Sequence, residues 1–293
     1  MLAGAAFAAL GALPWPAAVR AGAALGDAVR ALGVRREVAR ANLARAFPER
    51  PPAGIEALLA EHYREIGRIA AEYGRLPALV HAREGEVVAE VEGLSGLQAL
   101  RGRPALLLTG HLGNFELLGA YLARYNPVDF LVKPLANPAM ESRVGRLRAD
   151  AGVGQISTGA GVKQVFRALR AGHWVALLAD QDARRHGVFV PFFGRLASTP
   201  EGPARLALQT RTPIVFGAAH RGADGRHHLV IDPPHLPAGD ASDANVLALT
   251  AWHTARLEAR VRETPEHWFW LHRRWKTPPP AGNGTEGGPN APV

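Results

Sequence analysis

The stretch "LLLTGHLGNFELLG", residues 106–119, places His111 and Glu116 five positions apart in a run otherwise made of apolar residues, glycine, threonine and asparagine. An imidazole beside a carboxylate can act as general base on a hydroxyl, the carboxylate fixing the tautomer and favouring the imidazolium that forms. Along one regular helix this spacing would point the two side chains apart. A dyad therefore requires His111 in a loop that folds back on the first turn of a helix carrying Glu116. The same residues also make sense as architecture, with Gly113 for a turn, Asn114 as N-cap and Glu116 against the positive helix end. Taken alone, the motif supports both readings.

The flanking elements decide whether such a junction exists. Ala105 to Thr109 is a short apolar strand of the kind buried on both faces, and Thr109-Gly110 ends it, so His111 falls at a strand's C-terminal end, where open α/β sheets bind ligands. Further strands are predicted near Glu86 to Val91, Phe130 to Lys133, Trp174 to Asp180, Ile214 to Ala218 and His228 to Ile231. Helical runs near Glu116 to Arg124, Pro138 to Ala151, Val162 to Ala171, Pro200 to Thr210 and Asn245 to Arg262 lie between or after them. Ahead of this alternation, residues 35–79 carry helical spacing interrupted by a turn from Pro48 to Pro52. The pattern implies an α/β sandwich with a mainly parallel central sheet and a helical preface.

The 293 residues are 47% hydrophobic and 20% charged, an ordinary globular composition with length enough for a substantial core. The absence of cysteine excludes disulfides, thiolate zinc sites and a cysteine nucleophile. The formal charge of +8 is carried almost wholly by arginine, which favours an anionic substrate or surface. Residues 1–34 form a hydrophobic segment in which the apolar run Leu2 to Leu13 is too short to span a bilayer and is broken at Pro14-Trp15-Pro16. An amphipathic piece lying in an interface, with Trp15 at headgroup depth, is the leading expectation, with a buried helical hairpin and, last, a cleaved signal as the alternatives. The Pro- and Gly-rich tail, 277–293, is expected to be disordered.

Several further blocks follow the first motif. They are "KPLANP" from Lys133, "SRVGRLRADAG" after it, "LLADQDARRHGVFVPFFGRLASTPEGPARLA" from Leu177 and "PEHWFWLHRRWK" from Pro265; "RANLARAFPE" lies in the helical preface. In order and spacing, and with the H-x4-E form of an H-x4-D/E motif, residues 35–276 resemble the bacterial late acyltransferases of lipid A synthesis and the related phosphatidylinositol mannoside acyltransferases. The resemblance implies a glycerol-3-phosphate-acyltransferase-like αβα sandwich on the cytoplasmic face of the inner membrane. It implies transfer of a fatty acyl chain from acyl carrier protein or acyl-CoA to a hydroxyl of a membrane glycolipid, foremost a lipid A precursor, with no cofactor, no metal and no nucleic-acid partner. Its catalytic pair would be His111 and Glu116.

Arg146 and Arg148 match the family's arginine region and are expected at an anionic headgroup, against the plainer reading of a solvated helix face. Asp180, at the end of an apolar strand, should reach the same sheet edge as His111 and either support a catalytic side chain from behind or position the acceptor; a helix or turn cap is the structural alternative. Asn114 is grouped with the acceptor-binding residues as well as being the expected cap. "VFVPFFG", Val188 to Gly194, reads first as core and second as an acyl-chain groove. Thr199-Pro200-Glu201 reads as a helix start, and Trp268, Trp270 and Trp275 with Arg273, Arg274 and Lys276 as interface or headgroup contacts. His220, His227, His228 and His235 are expected on a surface hairpin. A non-catalytic lipid binder and a nucleic-acid binder are the competing functions; the intact His111 and Glu116 weigh against the first.

Overall fold

The computed structural model describes residues 13–158 and 161–280. The run Leu2 to Leu13 lies outside them except for its last residue, as does the tail beyond residue 280. The helical preface comprises α1 (Trp15–Ala31), α2 (Arg36–Ala46), α3 (Pro52–Tyr73) and the short α4 (Leu76–Val80). The rest alternates in chain order: β1 (Val88–Glu92), α5 (Leu94–Gln98), β2 (Ala105–Thr109), α6 (Phe115–Leu122), β3 (Val128–Val132), α7 (Pro138–Asp150), β4 (Val153–Ser157), α8 (Gly161–Arg170) and β5 (Trp174–Leu178). A hairpin of β6 (Val188–Phe192) and β7 (Arg195–Thr199) precedes α9 (Gly202–Thr210), β8 (Ile214–Arg221), β9 (His227–Ile231) and α10 (Asp243–Glu263).

The main sheet has seven strands in the order β1-β9-β8-β2-β5-β3-β4, parallel throughout except where β8 meets β9. Alternate residues of the central strands feed two cores. Leu106, Leu108, Val175 and Leu177 pack with α2, α3, α8, α9 and α10 on one face, while Ala105, Leu107, Trp174 and Val215 pack with α4, α5 and α6 on the other. The mainly parallel αβα expectation holds. Two strand regions were not anticipated: β4, in a Gly- and Ser-containing segment, and the β6–β7 hairpin, whose Val190, Phe192 and Phe193 are core side chains rather than a groove lining. Thr199 does not cap a helix. It ends β7, and α9 starts at Gly202 with no side-chain cap.

Helix α1 packs along α3 through glycine: a Cβ at Gly22 or Gly67 would stand 2.4 or 2.0 Å from the other residue's carbonyl oxygen, and one at Gly26 would stand 2.0 Å from that of Tyr63. Only backbone without side chains allows helices this close. Trp15, expected at headgroup depth, instead donates its indole N–H to Glu72 of α3 at 2.9 Å. The described part of residues 1–34 thus docks on the preface in the manner of the helical-hairpin alternative. No described helix is long and apolar enough to cross a membrane.

Gly113 is required for a comparable reason. Its φ is +56°, and a Cβ would lie 1.5 Å from the Ala219 carbonyl oxygen of β8, a collision with backbone that cannot move alone. Gly113→Ala is therefore expected to lower stability by more than about 1 kcal/mol, the cost of a non-glycine residue at positive φ, with the clash added. Urea unfolding of the purified variant checks this, and an unchanged midpoint would mean the turn is not held against β8.

Candidate active site

Strand register alone brings the first two site residues together. In the parallel pair β2–β5, Thr109 lies opposite Leu178, and His111 and Asp180 are each two residues further on, at the same C-terminal edge. Asp180 is buried, and its Oδ1 accepts from His111 Nδ1 at 2.8 Å. Its Oδ2 accepts from the His111 backbone N–H at 2.7 Å and from the Trp268 indole N–H at 2.9 Å. A carboxylate only accepts, so Nδ1 carries the proton and the lone pair lies on Nε2. The Gln181 side-chain amide stands 3.5 Å from Nε2, and the rings of Phe115 and Phe269 flank the imidazole at 5.4 and 6.1 Å.

The carboxylate that orients His111 is thus Asp180, not Glu116. Glu116 does sit in the first turn of α6 behind an Asn114 cap, which accepts from Leu117 N–H at 3.0 Å. Its carboxylate, however, points to the other side of the helix start: Arg148 of α7 donates from Nε at 3.0 Å and from Nη2 at 2.5 Å, and Tyr73 donates its hydroxyl at 2.9 Å. His111 lies in the loop before α6, but that loop does not fold back onto Glu116 in the first turn. The loop that carries His111 turns toward β5 because Asp180 offers an acceptor to its backbone as well as its ring.

The other expected contacts redistribute in a similar way. Arg148, expected at a headgroup, is held by Glu116 and donates from Nη1 to Gln155 at 3.0 Å, though it still lines the cleft described below. Arg146 is exposed and does not line the cleft, hydrogen-bonded to Ser142 at 2.8 Å; Arg143 is the other arginine of that helix that does line it. Asn114, grouped with the acceptor-binding residues, is buried and gives its amide to Glu72 at 3.0 Å, so both ends of the side chain are engaged within the fold. Trp268 and Trp270 are core residues, and Arg274 is fully buried, donating to Ser198 O at 2.6 Å and Thr199 Oγ1 at 2.5 Å. Of the late histidines, His227 is buried against Glu72 at 2.9 Å while the others lie on or beyond the β8–β9 hairpin.

His111 opens into a cleft of about 660 Å³. One wall is α3, with Ile66, Ile69 and Tyr73; the opposite wall is α7, with Met140, Arg143 and Leu147; Lys133 and Leu135 stand at the end of β3. Two apolar recesses adjoin it. A narrow slot under α6, about 50 Å³, shares Phe115, Leu131 and Leu178 with the cleft, and a groove of about 390 Å³ between α8 and α9 shares Leu131, Thr158 and Leu178. The site therefore combines one exposed imidazole nitrogen, cations at the rim and adjacent space suited to hydrocarbon.

The model of the bacterial lipid A biosynthesis acyltransferase family matches residues 1–277. The chain belongs to this family. The acyltransferase is 30% identical to the phosphatidylinositol mannoside acyltransferase of Mycolicibacterium smegmatis, over 82% of this chain and 79% of that one. It is 28% identical to the lipid A biosynthesis palmitoleoyltransferase of Escherichia coli, over 91% of this chain and 87% of the relative. With the lipid A biosynthesis lauroyltransferase of the same organism it shares 29%, over 91% and 88%.

Electrostatics at the acyltransferase site follow from the pairing. Burial disfavours the imidazolium of His111, but the charge and hydrogen bond of Asp180, helped by the field of Glu116, outweigh it and raise the pKa above 6.5. Burial likewise works against the Asp180 carboxylate, yet His111 and the Trp268 N–H bring it down to about 2. For stability, His111 contributes fully below its unfolded pKa of about 6.5, and the contribution is lost as pH rises through the raised value. The Asp180 contribution is present above an unfolded value of about 3.9 and is lost as pH falls toward the folded one.

Two predictions result. A neutral His111 is the form able to accept a proton, so the acid limb of the kcat/KM–pH profile is expected above pH 6.5. In Asp180→Asn the amide must turn its oxygen to the two N–H donors and its NH2 to Nδ1. That forces the proton onto Nε2 and lowers activity by about 10²–10⁴-fold, the range for a general base. Steady-state rates across pH check both, and wild-type behaviour in Asp180→Asn would refute the pairing. Separately, Arg148→Ala leaves Glu116 buried without its cation and is expected to cost about 3–5 kcal/mol in urea unfolding. Most of that loss should be recovered in Glu116→Gln/Arg148→Met.

Proposed function

We propose that this acyltransferase moves a fatty acyl chain from a thioester, carried on acyl carrier protein or coenzyme A, to a hydroxyl of a bacterial membrane glycolipid, with His111 as general base. The observation that carries the reading is the His111–Asp180 hydrogen bond, which in the neutral imidazole puts the proton on Nδ1 and the lone pair on Nε2, beside a cleft lined by Lys133 and Arg143. The acceptor oxygen attacks the thioester carbonyl as its proton passes to Nε2. The tetrahedral intermediate then collapses: the C–S bond breaks, the ester remains on the acceptor, and the imidazolium returns the proton to the departing sulfur. Gln181, whose amide lies 3.5 Å from Nε2, is the side-chain donor in reach of the developing oxyanion.

Lys133 and Arg143 at the cleft suit the acceptor's anionic headgroup, and the apolar slot and groove suit acyl chains. The exposed side chains of Leu135, Val162 and Leu178 stand on the same sheet edge, which favours a mouth turned toward a membrane, on our reading the cytoplasmic face of the inner membrane. A lipid A precursor is the first acceptor to test, because the match to the two Escherichia coli enzymes covers more of both chains. A phosphatidylinositol mannoside is the second, favoured by the 30% identity to the mycobacterial relative.

The test incubates wild type and His111→Ala with each acceptor in mixed micelles, using labelled acyl carrier protein or acyl-CoA, and reads the lipids by mass spectrometry. Wild type is expected to add one acyl chain to one acceptor class, and the variant to be slower by about 10²–10⁴-fold. Equal transfer by both proteins would remove His111 from the mechanism. No transfer by folded wild type to either acceptor would overturn the proposed reaction.

A further inference from the structure

A second concave feature lies away from the cleft. The segment that follows Trp268 runs past the site as a strap: Phe269 N–H donates to His111 O at 2.9 Å, and His272 Nε2 accepts from Asp182 N–H at 2.9 Å. Thr277 Oγ1 then donates to Asp182 Oδ2 at 3.0 Å. Between these anchors the strap forms, with α2, a surface basin of about 400 Å³. Arg45, Arg273 and Lys276 line it, and no hydrogen bond or ion pair joins these side chains to any described residue. The basin's one acidic residue, Glu37, is turned to Arg40 at 2.5 Å. Trp275, also on its wall, has an indole N–H with no acceptor in the fold.

Three cations around a hollow whose one carboxylate, Glu37, is already taken by Arg40 repel one another, and a multiply charged anion relieves that repulsion. We propose that the basin binds a phosphate ester, and that its occupant is the phosphate at the far end of the acyl donor's pantetheine arm, a group common to coenzyme A and to holo acyl carrier protein. This rests on the thioester reading above. Three observations favour the donor over a lipid headgroup. The cations suited to the acceptor, Lys133 and Arg143, are already in the cleft. The basin is built on the same strap that carries the Asp180 anchor Trp268 and Phe269 beside His111, so an occupant of the basin sits on the segment that also bounds the site. None of the exposed large hydrophobic side chains among the described residues lines it, whereas a membrane contact would pair its cations with them.

The test uses the full chain and unreacted ligands. Calorimetric titration with coenzyme A, and separately with holo acyl carrier protein, compares wild type with Arg45→Gln/Arg273→Gln/Lys276→Gln and with an equally charge-depleted control, Arg101→Gln/Arg103→Gln/Arg170→Gln. All six positions are exposed, so folding is expected to survive. The basin variant is expected to weaken at least one ligand by about tenfold or more, the loss of charge-assisted contacts to phosphate, and the control to leave both unchanged. Whichever ligand responds identifies the donor. Sedimentation with vesicles containing phosphatidylglycerol should not separate the two variants. Wild-type affinity for both ligands in the basin variant, no binding of either ligand by wild type, or a selective loss of vesicle binding would each overturn the proposal. Because no acyl group is transferred, a chain that binds coenzyme A through the basin but acylates nothing would sink the thioester reaction and leave the basin standing.

Discussion

A single buried carboxylate organises the C-terminal edge of the sheet at His111. Asp180 sits where the dielectric is low and an unpaired charge would cost several kcal/mol, so its ionisation depends on the donors brought to it. Those donors come from two distant places in the chain: the backbone and ring of His111, and the indole of Trp268. Satisfying the charge therefore pins the loop after β2 and the strap after α10 in one step. The imidazole is oriented as a consequence, because the only way to meet Oδ1 while the backbone meets Oδ2 is to present Nδ1. The tautomer, the direction of the free nitrogen and the path of the strap all follow from neutralising one acid.

The second carboxylate of the motif has a different role in the same economy of space. Glu116, held by Arg148 and Tyr73, joins α6, α7 and α3 at a point just behind the cleft. With Arg148 also stacked over Phe130 at 5.5 Å, the two helices that form the cleft walls are fixed relative to the sheet. His111 and Glu116 thus belong to one region without touching: the first lines the cleft, and the second ties together the helices that form its walls.

Much of this was legible in the residues. The apolar strands, the helices with periodic spacing, the Asn114 cap and the placement of His111 at a strand end follow from local patterns, and local patterns are what a sequence displays. The partnership of His111 was misassigned because it depends on strand order, which is non-local. "TGH" and "ADQD" both end apolar strands, but only the order β2-β5 and its register make them neighbours. The arginines show the complementary limit. A helical run establishes that Arg143, Arg146 and Arg148 lie on one helix, while the neighbours of that helix decide that Arg143 and Arg148 reach the cleft and Arg146 does not. The tryptophan-rich end misled for a related reason: indole and arginine suit a membrane interface by type, but here Trp268, Trp270 and Arg274 close the core over the sheet.

Glu72 repeats, deeper in the molecule, what Asp180 does at the edge. It is fully buried and is met by Trp15 of α1, Asn114 at the start of α6, His227 of β9 and the Arg221 guanidinium of β8 at 2.9–3.0 Å. A substitution at any one of these positions removes a partner from the buried charge that the others share. Such a cluster makes the first described helix and the loop that bears the His111 imidazole parts of one cooperative unit. Trimming the chain at α1 would then be felt at the imidazole, through a single shared negative charge rather than through any contact between the two.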